Sequence, residues 1–121
     1  MALELAFVRA GGLLVVGTDP TGGGGVIPGY SNQRALELLV EGGFSPVEAI
    51  RIGTLNGATY LGRDREVGSI AVGKQADLLV VNGNPAASIS DIRNIELVFR
   101  QGVGYDPARL IASVKGQVGL F

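Results

Sequence analysis

The stretch Leu13-Leu14-Val15-Val16-Gly17-Thr18-Asp19 decides how this chain is read. Four apolar residues with no polar alternation suit a strand covered on both faces, as in a parallel sheet. Gly17-Thr18-Asp19-Pro20 ends it, with the carboxylate at the strand exit. Upstream, residues 2–10 place Leu3, Phe7 and Ala10 at helical spacing, and Gly11-Gly12 supplies the stop. Downstream, Thr21-Gly22-Gly23-Gly24-Gly25-Val26-Ile27-Pro28-Gly29-Tyr30 is too rich in Gly and Pro to be anything but loop.

A helix follows, capped by Ser31 or Asn32, with Leu36, Leu39 and Val40 as its apolar stripe and Gly42-Gly43 as its close. Ser45-Pro46-Val47-Glu48 then opens another: Ser45 is a good N-cap, Pro46 suits the first turn, and Glu48 completes a capping box. That helix carries Val47, Ile50, Thr54, Ala58 and Leu61 at helical spacing and ends at Gly62. Gly53 and Gly57 inside it cost about 1 kcal/mol each relative to Ala, which close packing against them would justify.

From residue 66 the pattern turns to β. Residues 67–75 read as a short strand and a turn, and Asp77-Leu78-Leu79-Val80-Val81 as a buried strand ended by Asn82-Gly83-Asn84-Pro85. Ile95, Leu97 and Phe99 alternate with polar neighbours, as in a strand with one buried face. Asp106-Pro107 caps a last helix bearing Leu110, Ile111 and Val114. The chain thus divides at residues 1–65, helical around one strand, and residues 66–121, mostly strands. With so few strands, the first lacks neighbours for its two edges.

Composition narrows the chemistry. At 121 residues the chain is far short of the roughly 250 of a complete TIM barrel. Ten Lys+Arg against eleven Asp+Glu, well scattered, supply no basic stripe for nucleic acid. Glu4 and Arg9 interrupt the first apolar stretch, which fits neither a signal peptide nor a membrane span, so a soluble cytoplasmic protein is expected. Without cysteine there is no disulfide, thiolate metal site or thiol nucleophile; without histidine there is no catalytic triad or His-ligated metal site from this chain alone.

Asp19 is the leading candidate residue, because residues just past the carboxyl end of a buried strand line active sites in α/β folds. A carboxylate there can bind a metal or take a proton; equally, an Asp before Pro20 can simply begin a turn. The glycine loop invites comparison with phosphate-binding loops. It lacks the terminal Gly-Lys-Ser/Thr of a Walker loop, and counting from Gly22 or Gly23 gives Ile27 or Pro28 where a dinucleotide fingerprint needs glycine. A substrate-shaping loop of Thr21, Gly22, Gly23, Gly24, Gly25 and Tyr30 is the better expectation, with phosphate binding ranked below it. Within Gly68-Ser69-Ile70-Ala71-Val72-Gly73-Lys74-Gln75-Ala76-Asp77, a Lys74–Asp77 pair is the only polar partnership expected, and a structural one.

Three blocks together resemble the C-terminal part of the metal-dependent amidohydrolase superfamily, in its imidazolonepropionase-like and prolidase-like branch. They are Gly17-Thr18-Asp19, which resembles the end of the eighth barrel strand; residues 36–61, which resemble the helices after it; and residues 68–81, which resemble the return into the small β-sandwich domain. The resemblance implies a mixed α/β piece: the last strand and helices of a TIM barrel plus the closing strands of a sandwich. It further implies hydrolysis of amide or cyclic-amide C–N bonds with one or two divalent metals, commonly zinc, and gives Asp19 the role of metal ligand and proton shuttle. The family's histidine ligands have no counterpart here, so the chain alone is expected to be inactive and to hold no metal stably. A non-catalytic module that self-associates through strand pairing or helix docking is the alternative.

Overall fold

The computed structural model describes residues 1–19, 26 and 29–117. Helix α1 (Ala2–Arg9) leads into residues 13–18, whose alternation of exposed and half-buried side chains is that of an extended segment, and then Asp19. Then come α2 (Ser31–Glu41), α3 (Pro46–Gly53) and α4 (Leu55–Tyr60). Strand β1 (Leu78–Val81), a 3-10 helix (Ile89–Arg93), β2 (Ile95–Arg100), β3 (Val103–Tyr105) and α5 (Pro107–Ser113) complete the order. The strands form one antiparallel sheet in the order β1-β2-β3. Among the described residues no helix is long and apolar enough to cross a membrane.

The core is small. Leu39 of α2, Phe44 in the turn after it, and Ala49 and Ile52 of α3 are buried together, and Leu5, Val8, Leu14, Val16, Leu36, Val40 and Ile89 pack around them. Among the described residues of this cluster Ile89 comes from beyond residue 65, and Ile92 of the same 3-10 helix is buried as well. Leu36, Leu39 and Val40 are thus the stripe the spacing predicts. The turn that buries Phe44 follows from Gly43, whose φ of 104° lets the chain reverse and the Phe44 N–H reach back to the Leu39 carbonyl.

Local stop and start signals hold well. Ser45 accepts from the Glu48 N–H at 3.3 Å, and Glu48 accepts from the Ser45 N–H at 2.8 Å, closing the capping box. Asp106 caps α5 by accepting from the Ala108 and Arg109 N–H groups. Helix α2 differs: Ser31 is its first helical residue and Tyr30 its N-cap, with no side-chain cap bond.

Several faces differ from the sequence expectation. Residues 13–16 form no strand: among the described residues no backbone hydrogen bond joins residues 13–19 to another backbone group. Nor are both faces covered, for Leu14 and Val16 turn to the core while Leu13 and Val15 are exposed. On α1, Leu5 and Val8 face the core and the predicted Leu3 and Phe7 face out. The helix expected as one piece breaks at Thr54, whose hydroxyl donates to the Ile50 carbonyl at 2.7 Å and whose backbone leaves helical geometry. Its buried residues are Ala49, Ile52 and Ala58, while Val47 and Leu61 are exposed. Gly53 does admit close packing, since a Cβ there would lie 2.6 Å from Leu36 Cδ2; Gly57 faces open space.

The second half holds the other corrections. Residues 67–75 are turns and bends rather than a strand. Strand β1 is not buried, with Leu79 and Val80 exposed, and in β2 Leu97 is exposed while Val98 is half-buried. Strand β3 lies outside the strands that the sequence pattern predicts. Its hairpin turns on Gln101 and Gly102, both at positive φ (52° and 80°), as a two-residue loop requires. Lys74 and Asp77 do not pair: Lys74 donates to the Asp64 carbonyl and the Ser69 hydroxyl, and Asp77 accepts from the Gln101 N–H at 2.7 Å. Asp77 thereby fastens the β2–β3 turn, assisted by the Gly102 N–H bonding to the Ala76 carbonyl.

Candidate functional site

The site is built around the end of the extended segment. Leu14 and Val16 anchor it in the core, and the Asn56 side-chain amide donates to the Leu14 carbonyl at 2.9 Å, tying it to α4. At its far end Thr18 Oγ1 donates to Asn32 Oδ1 at 3.3 Å, linking it to the first turn of α2. Asp19 comes next, exposed, with φ at 39°. Asp tolerates this left-handed conformation better than most residues. Among the described residues Asp19 has no hydrogen-bond or ion-pair partner.

Asn56 and Asn32 are positioning residues; the sequence pattern offers Asn32 only as a cap for α2 and does not single out Asn56. For Asn56 the signal is a lone Asn within a largely apolar helical stretch.

Two hollows flank the site. One, of about 1000 Å³, opens between the α2–α3 layer and the sheet and is walled by residues including Val16, Leu36, Ile50, Leu78 and Ile95, with Asn32 among them. It is predominantly apolar and lacks a cluster of acidic or basic groups. The other, of about 560 Å³, lies between α2 and α5 and is lined in part by Tyr30, Gln33 and Arg93. Tyr30 is exposed and lines this second hollow; Asp19 lines neither. Thr21 and Gly22 to Gly25 lie outside the described residues, so the rest of the expected substrate loop is not placed.

The fit to a metal is poor from this chain alone. Zinc takes about four ligands, usually three of them from protein at a catalytic site. The sequence has no histidine or cysteine, and among the described residues no group of three or more acidic side chains converges. Asp19 can be one ligand of a site and not the whole of it.

The strongest electrostatics lie elsewhere and are structural. Glu37 of α2 receives Arg93 and Arg34, and these guanidiniums hold its carboxyl at about 2, against an ordinary 4.5. Glu48 is likewise held at about 2, by Arg9 first and then by the Ser45 backbone and hydroxyl. Arg9 also stacks over the Phe44 ring, 6.0 Å from its centroid.

Comparison with known proteins supplies the larger frame. The profile of the amidohydrolase family matches residues 2–104. An adenine deaminase of Mesorhizobium japonicum is 31% identical over 96 residues, covering 76% of this chain and 16% of its own. A Bifidobacterium longum structure assigned as a prolidase is 42% identical with a TM-score of 0.72, covering 81% of this chain and 24% of that one. A Xaa-Pro dipeptidase structure with methionine in its active site is 35% identical with a TM-score of 0.59, covering 61% of this chain and 18% of that one. The chain therefore spans about a sixth of the adenine deaminase and about a quarter of the Bifidobacterium longum protein. With its sequence matched along most of its length and its fold matched by these structures, the chain belongs to the amidohydrolase family.

Proposed function

We propose that this chain is the C-terminal portion of a metal-dependent amidohydrolase, in which Asp19 completes a site whose other ligands lie in sequence beyond these residues. The observation that carries the reading is the position of Asp19: a carboxylate with no partner among the described residues, at the exit of an extended segment that is anchored at both ends, by Asn56 on Leu14 and Asn32 on Thr18. A carboxylate so held can accept a proton and return it without first breaking an ion pair. The metal, zinc for preference, would supply the activated water in the complete site; this chain supplies the carboxylate and the scaffold behind it.

Exposed faces support the same reading. Leu3 and Phe7 on α1, Leu13 and Val15 on the extended segment, and Val47 on α3 are apolar residues left exposed among the described residues. Such faces belong to a larger packed body. The substrate is proposed only as a compound with a hydrolysable C–N bond, the feature common to the deaminase and dipeptidase chemistry of the relatives. Residues 1–65 form the barrel-derived part and residues 66–121 the sandwich-derived part, an assignment supported by a core cluster whose buried members, among the described residues, all come from the first part.

The test joins this chain to upstream amidohydrolase sequence carrying the missing histidines. Metal-dependent hydrolysis of dipeptides, cyclic amides or adenine is expected, and Asp19→Asn should abolish it while leaving the far-ultraviolet circular dichroism unchanged. Full activity in the Asp19→Asn form would refute the role of Asp19.

A further inference from the structure

We propose that Asn82 is a site of spontaneous modification, where the side-chain amide leaves as ammonia and the link to Gly83 becomes aspartyl or isoaspartyl. The chain holds two Asn-Gly pairs, Asn56-Gly57 and Asn82-Gly83. A glycine after asparagine puts no side chain in the way when the following backbone nitrogen approaches Asn Cγ. The two pairs share this local chemistry, and the fold sets them apart.

Asn56 is half-buried in the first turn of α4, and its amide nitrogen donates to the Leu14 carbonyl at 2.9 Å. Ring closure there takes ψ of Asn56 out of helical values and its amide off Leu14, so the start of α4 must first unwind. Asn82 is exposed, in the bend that follows β1. Its own N–H is fixed on the Asn94 carbonyl at 2.8 Å. Among the described residues, neither its side chain nor the Gly83 N–H has a hydrogen-bond partner. Rotation about ψ of Asn82 therefore breaks no bond made by the reacting groups. Glycine is also required at 83, where φ is 131° and a Cβ would stand 2.6 Å from Asp91 Oδ2, so the fold itself keeps a reactive pair here. The nearby Asn84 does not compete, because Pro85 has no N–H to give up.

The step consumes water and needs no other reagent. The Gly83 nitrogen bonds to Asn82 Cγ, and its proton goes to the departing amide, which leaves as ammonia. Water then opens the cyclic imide at one of its two carbonyls. Opening at Cγ gives aspartate; opening at the main-chain carbonyl routes the backbone through Cβ and Cγ and lengthens it by a methylene. Either product carries one more negative charge than the -1 of the unmodified chain. The longer backbone falls between two fixed points, the Asn82 N–H on the Asn94 carbonyl and the Asn84 N–H on Asp91 Oδ2 at 2.8 Å. None of this depends on the chemistry proposed for Asp19.

Prolonged incubation of the 121-residue chain at mildly alkaline pH tests it, read by tryptic peptide mapping with electron-transfer fragmentation to separate isoaspartate from aspartate. In the folded chain Asn82 should convert at least about tenfold faster than Asn56, releasing ammonia and leaving isoaspartate. In guanidinium the two sites should convert at similar rates. Asn82→Gln, whose longer side chain closes a ring poorly, should lose the modification at this position and leave the far-ultraviolet circular dichroism unchanged. Conversion of Asn56 as fast as Asn82 in the folded chain overturns the proposal, as does conversion of neither. So does an advantage of Asn82 that survives unfolding, because local sequence and not the fold would then set it.

Discussion

Arg93, at the end of the 3-10 helix, grips Glu37 of α2 with two prongs, Nε to Oε1 at 2.5 Å and Nη2 to Oε2 at 2.8 Å. Among the described residues this ion pair joins the helical half to the sheet half across a long stretch of sequence, whereas Arg63–Glu66 spans the boundary only locally and the others join residues within one half. The Glu37 side chain is only 12% exposed, so solvent screens the pair less than the surface pairs around it. Arg34 reaches Glu37 as well, at 3.2 Å, and so the carboxylate has charge-assisted partners from two elements.

Acid should loosen this clamp. Glu37 and Glu48 both sit at about 2 in the folded chain, below their ordinary 4.5. Depressed carboxyls contribute stability that is complete above the unfolded value and is lost as pH falls toward the folded one. Melting temperature should therefore decline between pH 4.5 and about 2, with Glu37→Gln less stable at neutral pH by about 1–3 kcal/mol and shallower in its acid decline. Parallel pH profiles for the two forms would contradict the assignment.

Ser45→Ala removes the acceptor for the Glu48 N–H and should cost about 1 kcal/mol in urea unfolding. The loss is felt directly by the core, because α3 contributes both Ala49 and Ile52 to it.

Two glycines should respond in opposite directions. Gly57 lies in a helix with open space where a Cβ would stand, so Gly57→Ala should stabilise by up to about 1 kcal/mol. Gly68 has φ of 86°, and a Cβ there would meet Ala58 Cβ at 2.5 Å, so Gly68→Ala should destabilise by about 1–3 kcal/mol. Thermal melts of the two variants, compared with the unmodified chain, separate the cases.

Asp77→Ala should release the β2–β3 turn. Its carboxylate is the acceptor for Gln101 N–H, and Gln75 donates to its other oxygen at 2.6 Å. Faster hydrogen exchange at Gln101 and Gly102, with α2 and α3 unchanged, is the expected signature; unchanged exchange at Gln101 would show that the hairpin holds itself.

Local signals were legible in the sequence, and the faces were not. The capping box at Ser45, the Gly42-Gly43 stop and the Asp106 cap each need only a few neighbouring residues, and each formed as read. Leu3 and Phe7, or Val47 and Leu61, keep helical spacing yet face outward, because periodicity identifies an apolar stripe without naming the body that covers it. The β2–β3 hairpin escaped notice because Gln101-Gly102 replaces the usual Asn-Gly or Asp-Gly with a residue that seldom adopts positive φ. Asp19 was visible as a carboxylate after an apolar run; Asn56 and Asn32, which hold that run in place, belong to other elements and became visible only in the fold.

The central claim is that Asp19 is one ligand of a site this chain does not complete. Zinc titration of the purified 121-residue chain by isothermal calorimetry tests it most directly. The account predicts no saturable zinc binding at micromolar concentrations, and the same flat titration for Asp19→Asn. Stoichiometric binding that disappears in Asp19→Asn would contradict it, because the chain would then hold the metal by itself.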